Sequence, residues 1–303
     1  TGSSSTPTPH VDQDVEMAQT DEDQQKFEEL AAQWTAMTFE DSAIPELVQK
    51  VLSNEQENYL YGLIGLRKLL SKEANPPIQE VINAGVVPRM VQLASLSFPK
   101  KVQFEAAWCL TNVCSGTTEQ TLCVIQYGAL ASFLSLLKSD DLEVVEQSIW
   151  GLGNIAGDNA QFRDMILQYN GTEEFVKVLS KPSAPMSLKR NGAWALSNLC
   201  RGKPAPAFAL VCKAIPVLCE LFKVETDVDT LINVAWAISN LTGENKGVSS
   251  VLSYNIVPKL IEFLSHENLA LVAACLRTLG NIISGTNEQA SAVLKEKNFI
   301  PEL

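Results

Sequence analysis

The chain has 303 residues, 46% apolar and only 7% aromatic, enough for a sizeable core built of Leu, Val, Ile and Ala. Its net charge is −12, yet it has neither an uncharged apolar run of membrane-spanning length nor a basic start followed by an apolar stretch. Membrane insertion and a secretory leader are therefore not expected. Residues 1–49 hold eleven acids and the single base Lys26, a net of −10, whereas residues 50–303 hold 24 acids and 22 bases. The acidity thus belongs to the leading segment, and the nearly balanced remainder lacks the basic excess that direct nucleic-acid binding needs.

Residues 1–43 are rich in Asp, Glu, Gln, Ser, Thr and Pro, a composition that predicts a mostly disordered segment. The opening Thr1-Gly2-Ser3-Ser4-Ser5 has the character of a tag remnant. Within the segment, residues 22–39 carry an amphipathic pattern that puts Phe27, Leu30 and Trp34 on one helical face.

From residue 44 the sequence repeats. Trp108, Trp150, Trp194 and Trp236 are separated by 42, 44 and 42 residues, and Arg277 follows 41 residues later. Four residues after each stands an asparagine: Asn112, Asn154, Asn198, Asn240 and Asn281. A second marker is a proline opening an apolar segment, at Pro45, Pro88, Pro216, Pro258 and Pro301, preceded by a small turn such as Ala84-Gly85 or Tyr254-Asn255. Proline suits a first helical turn, where its missing N–H has no intrahelical partner. Between the markers the periodicity is helical, as in Val86, Met90, Val91 and Leu93, then Phe104, Ala107, Leu110, Thr111 and Val113. Each unit of about 42 residues reads as two or three helices that bury their apolar faces only by stacking on neighbours, an all-α solenoid with a concave surface. Six units are expected over 44–83, 84–126, 127–169, 170–213, 214–255 and 256–297, with Phe299-Ile300-Pro301-Glu302-Leu303 opening a seventh that is cut short.

Trp and Asn at i and i+4 share a helix face, so stacked repeats would present rows of indoles and carboxamides along one groove. A carboxamide both donates and accepts, and can hold a peptide backbone without reading its side chains. Neighbouring indoles make slots for long aliphatic stems, and their faces attract ammonium or guanidinium groups by roughly 0.5–2 kcal/mol each. An extended, lysine- and arginine-rich peptide satisfies both halves. The competing view is that Trp and Asn fill the core, but Asn is a poor core residue without partners. In the first repeat Leu66 and Leu70 replace the pair, so the array keeps its shape without it.

The remaining signals argue against catalysis, metal and cofactors. Seven cysteines fall mostly at apolar positions without a C-x-x-C pair, as small buried hydrophobes do. The two histidines, His10 and His266, assemble no nucleophile–base set. Gly151, Gly153 and Gly157 lie inside a Trp-x-x-x-Asn helix with no preceding strand, which favours close helix packing over a dinucleotide loop. The sequons Asn170-Gly171-Thr172 and Asn240-Leu241-Thr242 read as chance matches.

Several stretches resemble the importin-α family, armadillo-repeat adaptors that bind nuclear localisation signals. They include the run from Phe104 through Trp108-Cys109-Leu110-Thr111-Asn112 to Thr121, then Trp150-Gly151-Leu152-Gly153-Asn154-Ile155-Ala156-Gly157-Asp158, and Trp194-Ala195-Leu196-Ser197-Asn198. The resemblance covers nearly all of 44–303 and implies a right-handed α-solenoid of armadillo repeats. It implies a non-enzymatic import adaptor without cofactors, shuttling between cytoplasm and nucleus. The major peptide site would use Trp108/Asn112, Trp150/Asn154 and Trp194/Asn198, with Gln147 and Asn191 beside them and Trp236/Asn240 extending the groove. Asp158 would be the counter-charge of the deepest lysine pocket, with Thr121 and the Gly116 carbonyl as hydrogen-bond partners, while Arg277 and Asn281 form a partial minor site. Cargo would pass to an importin-β-type carrier through a basic N-terminal arm, which residues 1–49, with one lysine, do not contain. Asn233 also departs from the acidic residue common there. An armadillo scaffold for acidic partners is the rival reading, and would line its groove with Lys and Arg.

Overall fold

The computed structural model describes residues 25–296 and Phe299. The expectations for residues 1–24, and for a seventh repeat beyond Phe299, fall outside them. Among the described residues the regular structure is helical throughout, with no strand. The chain forms two compact units, one ending at Val86 and one beginning at Val87.

In the first unit, α1 (25–36) is followed by α2 (Ile44–Leu52), α3 (Gln56–Leu70) and α4 (Ile78–Asn83). Trp34 of α1 meets the ring of Tyr61 edge-on at 5.6 Å, and Phe39 meets the same ring at 5.7 Å. Phe27, Leu30 and Trp34 are half-buried, so one face of this short helix is in use. Gly62 and Gly65 let α3 lie directly against Leu47 and Val51 of α2, where an added Cβ would collide with them. Leu66 and Leu70, which stand in place of the Trp/Asn pair, are buried.

The second unit runs through α5 (Val87–Leu93), α6 (Lys100–Val113), α7 (Thr118–Gln126), α8 (Ala129–Leu136), α9 (Leu142–Asp158) and α10 (Ala160–Gln168). It continues with α11 (Gly171–Leu179), α12 (Met186–Cys200), α13 (Phe208–Val211), α14 (Ile215–Val224) and α15 (Val228–Leu241). Last come α16 (Asn245–Leu252), α17 (Val257–Glu262), α18 (Leu269–Ile283) and α19 (Asn287–Leu294). Each repeat places one long helix after two shorter ones. The long helices pack in a row, α6 on α9, α9 on α12, α12 on α15 and α15 on α18. This is an all-α solenoid.

The turns before α5, α8, α11 and α17 have a conformational cause. Gly85, Gly128, Asn170 and Asn255 take φ of 73°, 92°, 59° and 51°, a left-handed region that only glycine and asparagine enter cheaply. The core then fills from the middle helices: Phe133, Phe175 and Phe222 are fully buried, each contributing roughly 1.5–3 kcal/mol of burial. Gly151 gives Phe133 its space, since a Cβ there would sit 2.8 Å from the ring's Cε1. Burial pushes the thiols of Cys200, Cys219 and Cys275 up to about 12, the chemistry of inert packing groups.

Ion pairs and caps tie successive repeats together. Arg190 of α12 grips Asp227 through two bonds, Nε–H to Oδ2 at 3.1 Å and Nη2–H to Oδ1 at 2.6 Å. Asp227 in turn caps α15, accepting from the Thr230 amide at 3.0 Å and the Thr230 hydroxyl at 2.6 Å. The Arg190 guanidinium holds the Asp227 carboxyl well below the usual carboxylate range.

Candidate peptide-binding face

The long helices place the Trp and Asn residues in register because each pair spans one helical turn and each helix repeats the last. Trp108, Trp194 and Trp236 are half-buried, and Trp150 is 45% exposed, an unusual position for a residue that merely packs. Trp108 meets Phe104 edge-on at 5.3 Å. Trp194 lies over Gly153 of α9, where a Cβ would come 2.8 Å from ring atom Cε3.

The asparagines have an internal use that their spacing did not reveal. Asn154 Nδ2 donates to the Thr111 carbonyl at 3.2 Å, Asn198 Nδ2 to the Gly153 carbonyl at 3.0 Å, and Asn281 Nδ2 to the Ser239 carbonyl at 3.0 Å. In every case the acceptor immediately precedes the asparagine of the repeat before. One amide hydrogen thus clamps adjacent repeats and fixes the rotamer; Asn281 Nδ2 also donates to Thr242 Oγ1 at 3.2 Å, whereas the carboxamides of Asn154 and Asn198 keep an acceptor oxygen and a second N–H. Asn198 is buried, whereas Asn112, Asn154, Asn240 and Asn281 are half-buried. Asparagine at these positions therefore does find partners in the packed interior. The same side chain serves the interior and has capacity left for the face.

Gln147 lies one turn before Trp150 and is buried, with its Nε2 lacking a hydrogen-bond partner. Asn191, at the equivalent place before Trp194, donates to Glu146 Oε1 at 2.7 Å, and Ser187 donates to Glu146 Oε2 at 2.8 Å. Glu146 is therefore a support that the sequence reading omitted.

Asp158 ends α9. Its Oδ1 accepts from Thr118 Oγ1 at the start of α7 at 2.9 Å and from Asn159 Nδ2 at 2.9 Å. The exposed Gly116 lies between the end of α6 and the start of α7. Thr121 is fully buried beneath this corner, its hydroxyl donating to the Cys114 carbonyl at 3.4 Å. The C-terminal ends of α6 and α9 and the N-terminal ends of α7 and α10 lie at this corner, so their dipoles oppose and its negative charge is the Asp158 carboxylate.

A cleft of about 600 Å³ opens around the Trp194 and Trp236 rungs, its lining including Asn198, Asn233, Asn240, Arg201, Lys203 and Arg277. The guanidinium carbon of Arg277 sits 5.7 Å from the centre of the Trp236 ring, within cation–π range. Arg201 and Lys203 reach the cleft from a loop stapled by the buried Arg163. Its Nη1–H donates to the carbonyls of Arg201 at 2.7 Å and Pro204 at 2.9 Å. This end of the face therefore differs in charge from the Asp158 corner, and a single sequence gave no signal of it because the loop lies outside the Trp/Asn spacing.

A row of three-helix repeats whose long helices expose indoles and clamp one another through carboxamides defines an armadillo-type solenoid. The armadillo/beta-catenin-like repeat family matches residues 74–115, 117–157, 204–243 and 245–284. Importin subunit alpha-1b of Oryza sativa subsp. japonica is 39% identical over 88% of this chain and 49% of its own length. Importin subunit alpha-2 of Arabidopsis thaliana is 43% identical over 75% of this chain and 42% of its own length. A designed armadillo repeat protein in complex with the peptide (KR)4 superposes with a TM-score of 0.68 at 25% identity, covering 78% of this chain and 98% of that one. The chain belongs to the armadillo-repeat family, in its importin-α branch. It spans about half the length of the curated relatives it matches.

Proposed function

We propose that the Trp/Asn face of the second unit binds extended lysine- and arginine-rich peptides, and that the protein uses it as a nuclear import adaptor for cargo bearing such signals. The observation carrying this reading is the repeated accessible indole paired, at Asn154 and Asn198, with a carboxamide already fixed by its neighbour. Such a ladder pays little ordering entropy when a peptide arrives, because its amides hold one rotamer in advance. Trp108/Asn112, Trp150/Asn154 and Trp194/Asn198 supply the main slots, with Asp158 and the Gly116 carbonyl receiving one ammonium group. Gln147, one turn before Trp150, lies beside these slots.

The fourth rung works differently. Arg277 already occupies the neighbourhood of Trp236, so Trp236 and Asn240 extend the groove for backbone contacts, with little room for another cation. Arg277 and Asn281 are the first rung of a minor site. The similarity to a designed repeat protein bound to (KR)4 and to importin subunits alpha supports the ligand class. Transfer of cargo to an importin-β-type carrier, and shuttling between cytoplasm and nucleus, belong to the same proposal. The described residues contain no helix long and apolar enough to cross a membrane.

The test is the double substitution Trp150→Ala/Asn154→Ala, followed by circular dichroism and fluorescence anisotropy with labelled (KR)4. The helical spectrum should persist while affinity falls by two orders of magnitude or more. Unchanged affinity would remove the ladder from the function.

A further inference from the structure

Asp158 stands out from its counterparts along the solenoid. Eight residues after the ladder position, the five repeats carry Gly116, Asp158, Gly202, Glu244 and Gly285. Two of these are acids, and they are held differently. Glu244 is exposed. Asp158 is half-buried, and its Oδ1 is occupied by two donors from different elements, the Thr118 hydroxyl at the start of α7 and the Asn159 carboxamide. The residue that would support Glu244 in the same way is Pro204, two places beyond Gly202 as Thr118 is two beyond Gly116, and it has no hydroxyl.

We infer that Thr118 is a positioning residue for lysine recognition: it takes up one oxygen of Asp158 and turns the other, Oδ2, toward the incoming ammonium group. This deepens the basic-peptide reading above and rests on it. A carboxylate on a half-buried helix end has several rotamers, and only some present an oxygen to the groove. Two hydrogen bonds on one oxygen select among them before the peptide binds, at no further cost on binding. Thr118 opens the first helix of the repeat that Asp158 closes, so lysine affinity becomes coupled to the seating of α7 against the end of α9. Thr118 is itself well placed for this. Thr117 caps α7 in a reciprocal capping box with Gln120, which fixes the backbone from which the Thr118 hydroxyl projects. The cap does not use the Thr118 hydroxyl, so that group can be removed without unmaking the helix start.

The experiment measures (KR)4 affinity calorimetrically for the whole chain and four variants: Thr118→Val, Thr118→Ser, Asp158→Asn and Thr118→Val/Asp158→Asn. Thr118→Val should weaken binding about five- to tenfold, as follows if about a tenth to a fifth of the molecules then hold the carboxylate in the binding rotamer. Thr118→Ser, which keeps the hydroxyl, should stay within about twofold of the parent. In the Asp158→Asn background Thr118→Val should produce no further loss, because its effect passes through the carboxylate. Full affinity in Thr118→Val, or an equal loss with and without Asp158, would overturn the assignment while leaving the groove intact. Failure of the parent chain to bind (KR)4 would instead defeat the groove reading itself.

Discussion

At the scale of single residues, the asparagines explain why the ladder is both structural and exposed. Their carboxamides bridge to the carbonyls of Thr111, Gly153 and Ser239, one repeat back. Those acceptors share a property: the residue before each ladder asparagine is always small, namely Thr111, Gly153, Ser197, Ser239 or Gly280. A larger side chain would push the neighbouring long helix away. Gly153 shows this most directly, since it carries both members of the next rung, accepting from Asn198 and lying under Trp194. A Cβ there would stand 2.8 Å from Cε3 and 2.9 Å from Cη2 of that ring. Gly153→Ala should therefore cost about 1–3 kcal/mol of stability through overpacking and displace the indole. Thermal melts and (KR)4 binding should both worsen. A variant that melts and binds like the parent would show that the indole seat is slack.

At the scale of elements, the junction of α12 and α15 is held by a capped carboxylate rather than by apolar burial alone. Asp227 accepts from Thr230 at the start of α15 and from Arg190 on α12. Its folded carboxyl is depressed by the Arg190 guanidinium. Its contribution is then fully present above the ordinary aspartate value of about 3.9 and disappears as pH falls through the folded value. Arg190 is partly exposed, so most of the contribution is expected from the cap, about 1 kcal/mol or somewhat more. Asp227→Asn keeps a competent cap but loses the charge pair. Urea melts at pH 7 should show a modest loss, and the gap between parent and variant should narrow toward pH 2. A gap that widened on acidification would contradict the sign of this coupling.

Element identity was largely legible in the sequence because the signals were periodic. The 42-residue spacing located the long helices, and Gly85 and Asn255 marked turns whose positive φ accounts for their residue types. The face itself was half legible. Trp150, Trp194 and their asparagines could be placed by period alone. The long-range contacts could not, since Thr118–Asp158, Glu146–Asn191 and the Arg163 staple pair residues 38 to 45 positions apart. A single sequence offers no reason to couple those positions. Arg163 was hidden for a second reason: it is an arginine in the interior, 1% exposed, held by carbonyls that only the folded loop provides.

At the scale of the whole molecule, the separation of charge along the second unit carries the functional argument. The Asp158 corner presents a carboxylate, while the cleft around Trp236 is lined by Arg201, Lys203 and Arg277. A peptide lying across both meets an attractive and a repulsive end, so the groove distinguishes position as well as net charge. The chain's net charge of −12 is concentrated in residues 1–49 and does not describe this face. Specificity should therefore persist when bulk electrostatics are screened. The most direct measurement is calorimetric titration of the chain with (KR)4 and with a length-matched Asp/Glu peptide at about 0.15 M and about 0.5 M salt. Saturable one-site binding of (KR)4 that survives the higher salt, with no heat from the acidic peptide, is the predicted result. Comparable binding of both peptides, or loss of all (KR)4 binding at the higher salt, would contradict a groove that reads lysine through indole slots and a positioned carboxylate.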